Sequence, residues 1–131
     1  KVGDYKVPFT YILASTFQSP LLGQDKDSYN DDNGVLHRDA LKNQVLKVEW
    51  QVPAKSYKEF SEFMTSINKQ YVSPRREKKC LVTAWCPELV KYVTMYCYMP
   101  DVTPIIAYAD EETIEYDGWR IAFIGYGDEI L

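Results

Sequence analysis

The chain has 131 residues, 46% of them hydrophobic and 15% aromatic, enough for one hydrophobic core and too apolar for a disordered chain. A formal net charge of -4 and a pI near 5.0 exclude a general nucleic-acid surface, which needs clustered Lys and Arg to displace counterions. No apolar run approaches the roughly 20 residues of a membrane helix.

In chain order, Lys1-Val2-Gly3-Asp4 holds neither an initiator Met nor a signal peptide, as expected where the gene product starts earlier. Residues 5–13, Tyr-Lys-Val-Pro-Phe-Thr-Tyr-Ile-Leu, predict an opening strand, with Pro8 at an edge or bulge. Residues 15–34 then turn to Gln, Ser, Asp, Asn and Gly without a period, which predicts a long loop of the functional kind, closed by the Asp32-Asn33-Gly34 turn. Val35 to Val52 carries the clearest strand signal: Leu46, Val48, Trp50 and Val52 alternate with Lys47, Glu49 and Gln51. A capping box, Ser56-Tyr-Lys-Glu59, opens a helix over 56–70, with Tyr57, Phe60, Phe63, Met64, Ile67 and Tyr71 on the stripe that must pack. Strands follow at Cys80–Trp85, Lys91–Met99, Ile105–Tyr108 and Trp119–Tyr126. The strand over 91–99 is apolar on both faces, Val93, Met95, Cys97 and Met99 against Tyr92, Thr94, Tyr96 and Tyr98. That pattern predicts cover on both sides or a place at an interface. The fold class is therefore mainly β (α+β): an antiparallel sheet with one amphipathic helix packed on it, in a single domain over 1–131.

No candidate chemistry converges on an active site. His37-Arg38-Asp39 looks catalytic, but neighbours along a strand point to opposite faces, and no nucleophile is placed beside them. The acidic run of Asp25, Asp27, Asn30, Asp31, Asp32, Asn33 and Gly34 lacks the terminal bidentate Glu of a calcium loop. Arg75, Arg76, Lys78 and Lys79 suit an acidic patch on a partner better than nucleic acid. Gly125-Tyr-Gly127 reads as a strand bend, and Cys80, Cys86 and Cys97 as core thiols of a protein made in a reducing cytosol. No cofactor, metal or catalytic residue is expected. The tyrosine row, Tyr92, Tyr96 and Tyr98, suits packing under a helix or against another subunit, with stacking on a sugar or on nucleic-acid bases as the other use of the same rings.

The segment Asn33-Gly34-Val35-Leu36-His37-Arg38-Asp39, the strand ending Leu46-Lys-Val-Glu-Trp50, the helix and the closing Asp117-Gly118-Trp119 strand resemble small tail-associated structural proteins of tailed bacteriophages and prophages of Gram-positive bacteria. In those an Asn-Gly-x-Leu-x-Arg-Asp cassette precedes a Lys-x-x-Leu-x-x-x-Trp strand and an amphipathic helix. Lys42-Asn-Gln-Val-Leu-Lys and the ending Ile124-Gly-Tyr-Gly-Asp-Glu-Ile-Leu depart from the pattern. The resemblance implies a tail-tube-like fold, an antiparallel β-sandwich or small barrel flanked by a helix and repeated around a six-fold ring. Such a subunit is a tail-tube, tail-completion or baseplate-hub component, non-enzymatic, made in the host bacterial cytoplasm and placed in the virion tail. Its partners would be its own copies and other tail or baseplate proteins, with DNA only passing through an acidic lumen and no membrane anchor.

Tyr29, Asn33, Gly34, Arg38, Asp39, Tyr92, Tyr96 and Tyr98 are the expected assembly residues. A monomeric carbohydrate- or protein-binding module using the tyrosine face is the alternative. Two expectations concern stability: Trp50 is a core residue, and removal of 18–30 leaves the core folded while blocking assembly.

Overall fold

A computed structural model describes residues 1–24, 28–38, 44–73 and 75–127. Among them the strands are β1 Leu21–Leu22, β2 Tyr29–Asn30, β3 Leu36–His37, β4 Val45–Val52, β5 Lys55–Ser56, β6 Lys79–Cys86, β7 Lys91–Tyr98, β8 Ile106–Ala109, β9 Ile114–Tyr116 and β10 Trp119–Gly125. One α-helix, α1, spans Tyr57–Asn68. No helix of the described residues is long and apolar enough to cross a membrane.

The principal sheet is antiparallel throughout, in the order β1-β4-β10-β7-β6. Alternation decides its two faces, because successive side chains on a strand point opposite ways. In β4, Leu46, Val48, Trp50 and Val52 are buried, and in β6, β7 and β10 the alternate residues Cys80, Val82, Ala84, Cys86, Val93, Met95, Cys97, Trp119, Ile121 and Phe123 join them in one core. The strand register and the expected core position of Trp50 agree: its ring is buried and its Nε1–H donates to the Tyr11 carbonyl at 2.9 Å.

The helix begins where its cap directs. Ser56 Oγ accepts the Glu59 backbone N–H at 3.3 Å, and Glu59 Oε1 lies 3.2 Å from the same hydroxyl, which supplies an acceptor to an otherwise unpaired first-turn donor. Phe63 and Ile67 are fully buried against the sheet. Phe60 and Phe63 approach Trp119, with ring centroids at 5.0 and 6.2 Å, and Tyr11 stacks on Phe63 at 4.7 Å. The outer members of the predicted stripe do less packing, and Tyr57 is half exposed.

Two expectations about the amino-terminal third are corrected. Residues 5–13 do not form a strand; Pro8 instead leads into a 3-10 turn at Phe9–Tyr11, whose Tyr11 and Ile12 N–H groups close onto Pro8 and Phe9. A proline that sets φ and removes a donor starts a turn more readily than it continues a ladder. Nor is 15–34 one structureless loop. Gln18 exchanges both backbone hydrogen bonds with Glu49, at 2.8 and 2.9 Å, and Leu21–Leu22 extends the same edge. Ser19 and Leu21 are buried, so removal of 18–30 would cut into the core, contrary to the expectation that the core stays folded without it.

That strap also curls the sheet. While Gln18 pairs with β4, the adjacent Ser19 hydroxyl donates to the Trp85 carbonyl of β6, the strand at the opposite edge. Lys1 to Gly3 lie along the outer side of β6, through Thr83 and Leu81. The helix and residues 2–21 thus fill the inner face, and the outer face is left without a covering layer among the described residues. The architecture is mainly β, with one helix packed on antiparallel sheets.

Candidate assembly surface

On the outer face the β4–β10 half is charged and the β6–β7 half is aromatic. Glu49 sits between Lys47, 3.7 Å away, and Arg120, with which it pairs directly. The aromatic half comes from the strand residues that do not enter the core. Tyr92 is 70% exposed, and Tyr96 and Tyr98 are partly buried. All three sequence-predicted tyrosines therefore share one face. Trp85 packs edge-on against Tyr92 at 5.2 Å, Tyr126 against Tyr98 at 5.4 Å, and the Lys79 ammonium lies 4.9 Å from the centroids of both Tyr96 and Tyr126, a cation–π arrangement. Between the strands, Thr83 and Thr94 hydroxyls bond at 2.8 Å. A groove of about 680 Å³ runs beside them, lined by Leu81, Thr94 and Tyr96 from the sheet, Lys69 and Val72 from the residues that follow the helix, and Lys1 and Asp4 from the amino-terminal segment.

A second set of predicted residues sits on the small β2–β3 hairpin. Tyr29 stacks on His37 with centroids 4.8 Å apart. Asp31 organises the turn: its Oδ1 accepts the N–H groups of Asn33 and Val35, at 3.0 and 2.9 Å, and its Oδ2 lies 2.9 Å from His37 Nε2. These bonds hold the Asp31 carboxyl below the usual carboxylate range, the His37 contact contributing most. Gly34 adopts φ +80° with nothing within 4 Å of where a Cβ would stand, so its glycine serves the turn conformation. Arg38 follows the hairpin and is exposed; Asp39 lies outside the described residues, as do Asp25 and Asp27. His37 thus finds its carboxylate at Asp31, inside a turn. Among the described residues no group of three His, Cys, Asp or Glu is placed to hold a metal ion.

The predicted residues therefore divide between a hairpin and a sheet face on different elements. Sequence reasoning missed two more exposed apolar groups. The β6–β7 turn carries Leu89 and Val90, 40% and 71% exposed, and Val90 takes φ 52°, a costly conformation for a β-branched residue. The β8–β9 hairpin carries Ile105, Ile106 and Tyr108, each more than half exposed. The signal for the last was present, an Ile-Ile pair beside an acidic turn, but a four-residue strand has too few positions to show which face is buried.

The three cysteines are free and buried, as expected. Burial pushes the Cys80 and Cys97 thiols up to about 12, so neither supplies a thiolate nucleophile at neutral pH.

These features define a class: an α+β protein with a hydrophobic core, an aromatic sheet face left uncovered among the described residues, and hairpins bearing exposed apolar side chains. The chain belongs to DUF6711, a family of unknown function whose model matches residues 1–126. Neither the curated proteins nor the solved structures gave a match to it.

Proposed function

We propose that the chain is a non-enzymatic structural subunit that works by assembling with its own copies, as one sector of a ring in a bacteriophage tail. The observation that carries this reading is where the exposed apolar side chains lie. Tyr29, Val35 and Leu36 are on the β2–β3 hairpin, Leu89 and Val90 on the β6–β7 turn, and Ile105, Ile106 and Tyr108 on the β8–β9 hairpin. Isolated exposed hydrophobic residues are ordinary, but groups of them on hairpins and turns mark surfaces that a partner covers. The aromatic outer face adds the residue types enriched at interfaces.

The likeness of the chain from Asn33 onward to tail-associated phage proteins supports the setting: a tail-tube, tail-completion or baseplate-hub ring, six-fold, beside other tail proteins. In that setting a net charge of -4 suits a lumen through which DNA passes without adhering. The purified protein is expected to give a mass of several subunits by light scattering and rings by negative-stain electron microscopy. A protein that stays monomeric at high concentration and binds glycans through Tyr92, Tyr96 and Tyr98 would overturn this in favour of a carbohydrate-binding module.

A further inference from the structure

The β8–β9 hairpin beside the start of α1 is acidic, and the segment after its end is basic. At its start Ser56 pairs with Glu115 of β9, and the segment from Ile105 to Gly118 holds Asp110, Glu111, Glu112, Glu115 and Asp117 with no basic residue. At its end stand Lys69, Arg75 and Arg76, with Arg75 donating to the Asn68 carbonyl and Lys69 forming one wall of the groove beside Tyr96. A helix of 12 residues is about 18 Å long. That exceeds the screening length of about 8 Å at physiological salt, so the acidic and basic groups do little for each other within one molecule. The helix dipole favours the same polarity, but its influence ends within a turn, whereas Asp110, Glu111 and Glu112 lie in the hairpin turn beyond the strand pairing. It also gives no reason for Ile105, Ile106 and Tyr108 to be exposed.

We infer that the β8–β9 hairpin of one copy docks into the groove at the end of α1 of a second copy. This deepens the self-assembly reading above and rests on it. The match is twofold. Ile106 and Tyr108 supply apolar surface to a groove lined by Leu81, Val72 and Tyr96, and the carboxylates of the hairpin turn face its two lysines, Lys1 and Lys69. β8 is the outer strand of its sheet, in the order β5-β9-β8, and all four of its residues are exposed, so the hairpin is open to a partner. Donor and acceptor are different patches of the same chain, which makes the contact heterologous. Such a contact repeats head to tail and closes into a ring when its rotation permits.

The test reverses charge on each side, with mass measured by light scattering across a concentration series. Glu111→Lys with Glu112→Lys is expected to weaken assembly about tenfold or more, and Lys1→Glu with Lys69→Glu to do the same, because like charges meet across the contact. Combining all four substitutions in one chain restores opposite charges and is expected to recover assembly. Circular dichroism checks that each variant is folded, and Tyr108→Ser, which leaves charge untouched, gives a further weakened variant. If the wild-type protein assembles and both reversals assemble as it does, the hairpin contact is wrong while self-assembly stands. If the wild-type protein is monomeric throughout, the assembly reading itself fails.

Discussion

At the scale of single residues, a tight constraint lies at Gly125, the last residue of β10. A Cβ there would come within 2.5 Å of Met95 Sδ and 3.1 Å of both the backbone N and O of Leu46. Met95 and Leu46 are fully buried, so neither has room to yield. Two effects compete in Gly125→Ala. Lower entropy of the unfolded chain stabilises by about 0.4–1 kcal/mol, whereas overpacking of a filled core costs about 1–3 kcal/mol. Overpacking prevails because two of the three close atoms are backbone. A net loss of about 1–2 kcal/mol is expected in urea denaturation; an unchanged midpoint would show that the sheet opens at this point. The expectation of a bend over 125–127 touches the same place: the strand ends at Gly125, and Gly127 takes φ +84°.

Elements differ in how far the core depends on them. The β2–β3 hairpin is held by its own contacts, the Tyr29–His37 stack and the Asp31 turn, and every residue of both its strands is exposed. The strap at Gln18–Leu22, a few residues earlier, has buried side chains and closes the edge of β4. Replacing 29–37 by a short Gly-Ser linker is therefore expected to leave the melting temperature within a few degrees of wild type while reducing assembly. Leu21→Asp is expected to lower it steeply, since an unpaired charge would be buried. A collapse of thermal stability in the first variant would mean that the hairpin belongs to the core. The sequence divides along the same line. Eight-residue strands such as β4 and β7 repeat their alternation often enough to reveal the buried face and the tyrosine face. The capping box located the start of α1 because its hydrogen bonds are local. The strap was not legible, because Ser19 and Leu21 are buried by pairing with a strand some 30 positions later and by a bond to Trp85, neither of which leaves a local pattern. For the same reason the groove escaped notice, since it joins the end of α1 to β6 and β7 only in three dimensions.

For the whole molecule, one part of the core sets how stability responds to alkali. Cys80 and Cys97 face each other across β6 and β7. Tyr71, just past the helix, sends its hydroxyl to Met99 Sδ at 3.9 Å and is electrostatically coupled to Cys80. Burial, the leading cause in each case, raises both thiols from 9.0 to about 12 and the Tyr71 phenol from 10.0 to about 12. All three pKa values are higher in the folded state. Below pH 9 both states keep these protons and folding is indifferent to them. Between about 9 and 12 the unfolded chain releases protons that the folded chain retains, so stability falls as pH rises. The melting temperature is accordingly expected to decline through that interval, and more shallowly in a Cys80→Ala, Cys97→Ala variant, which removes two of the three groups. Thiol reagents at neutral pH should modify these two cysteines only as the protein unfolds, because a buried, protonated sulfur is neither accessible nor nucleophilic. An alkaline decline identical in the two proteins, with both thiols reacting rapidly in the folded state, would show that the β6–β7 end of the core opens locally. It would also count against the rigid aromatic face that the proposed assembly contact requires, since Tyr96 and Tyr98 stand on the other side of the same strand as Cys97.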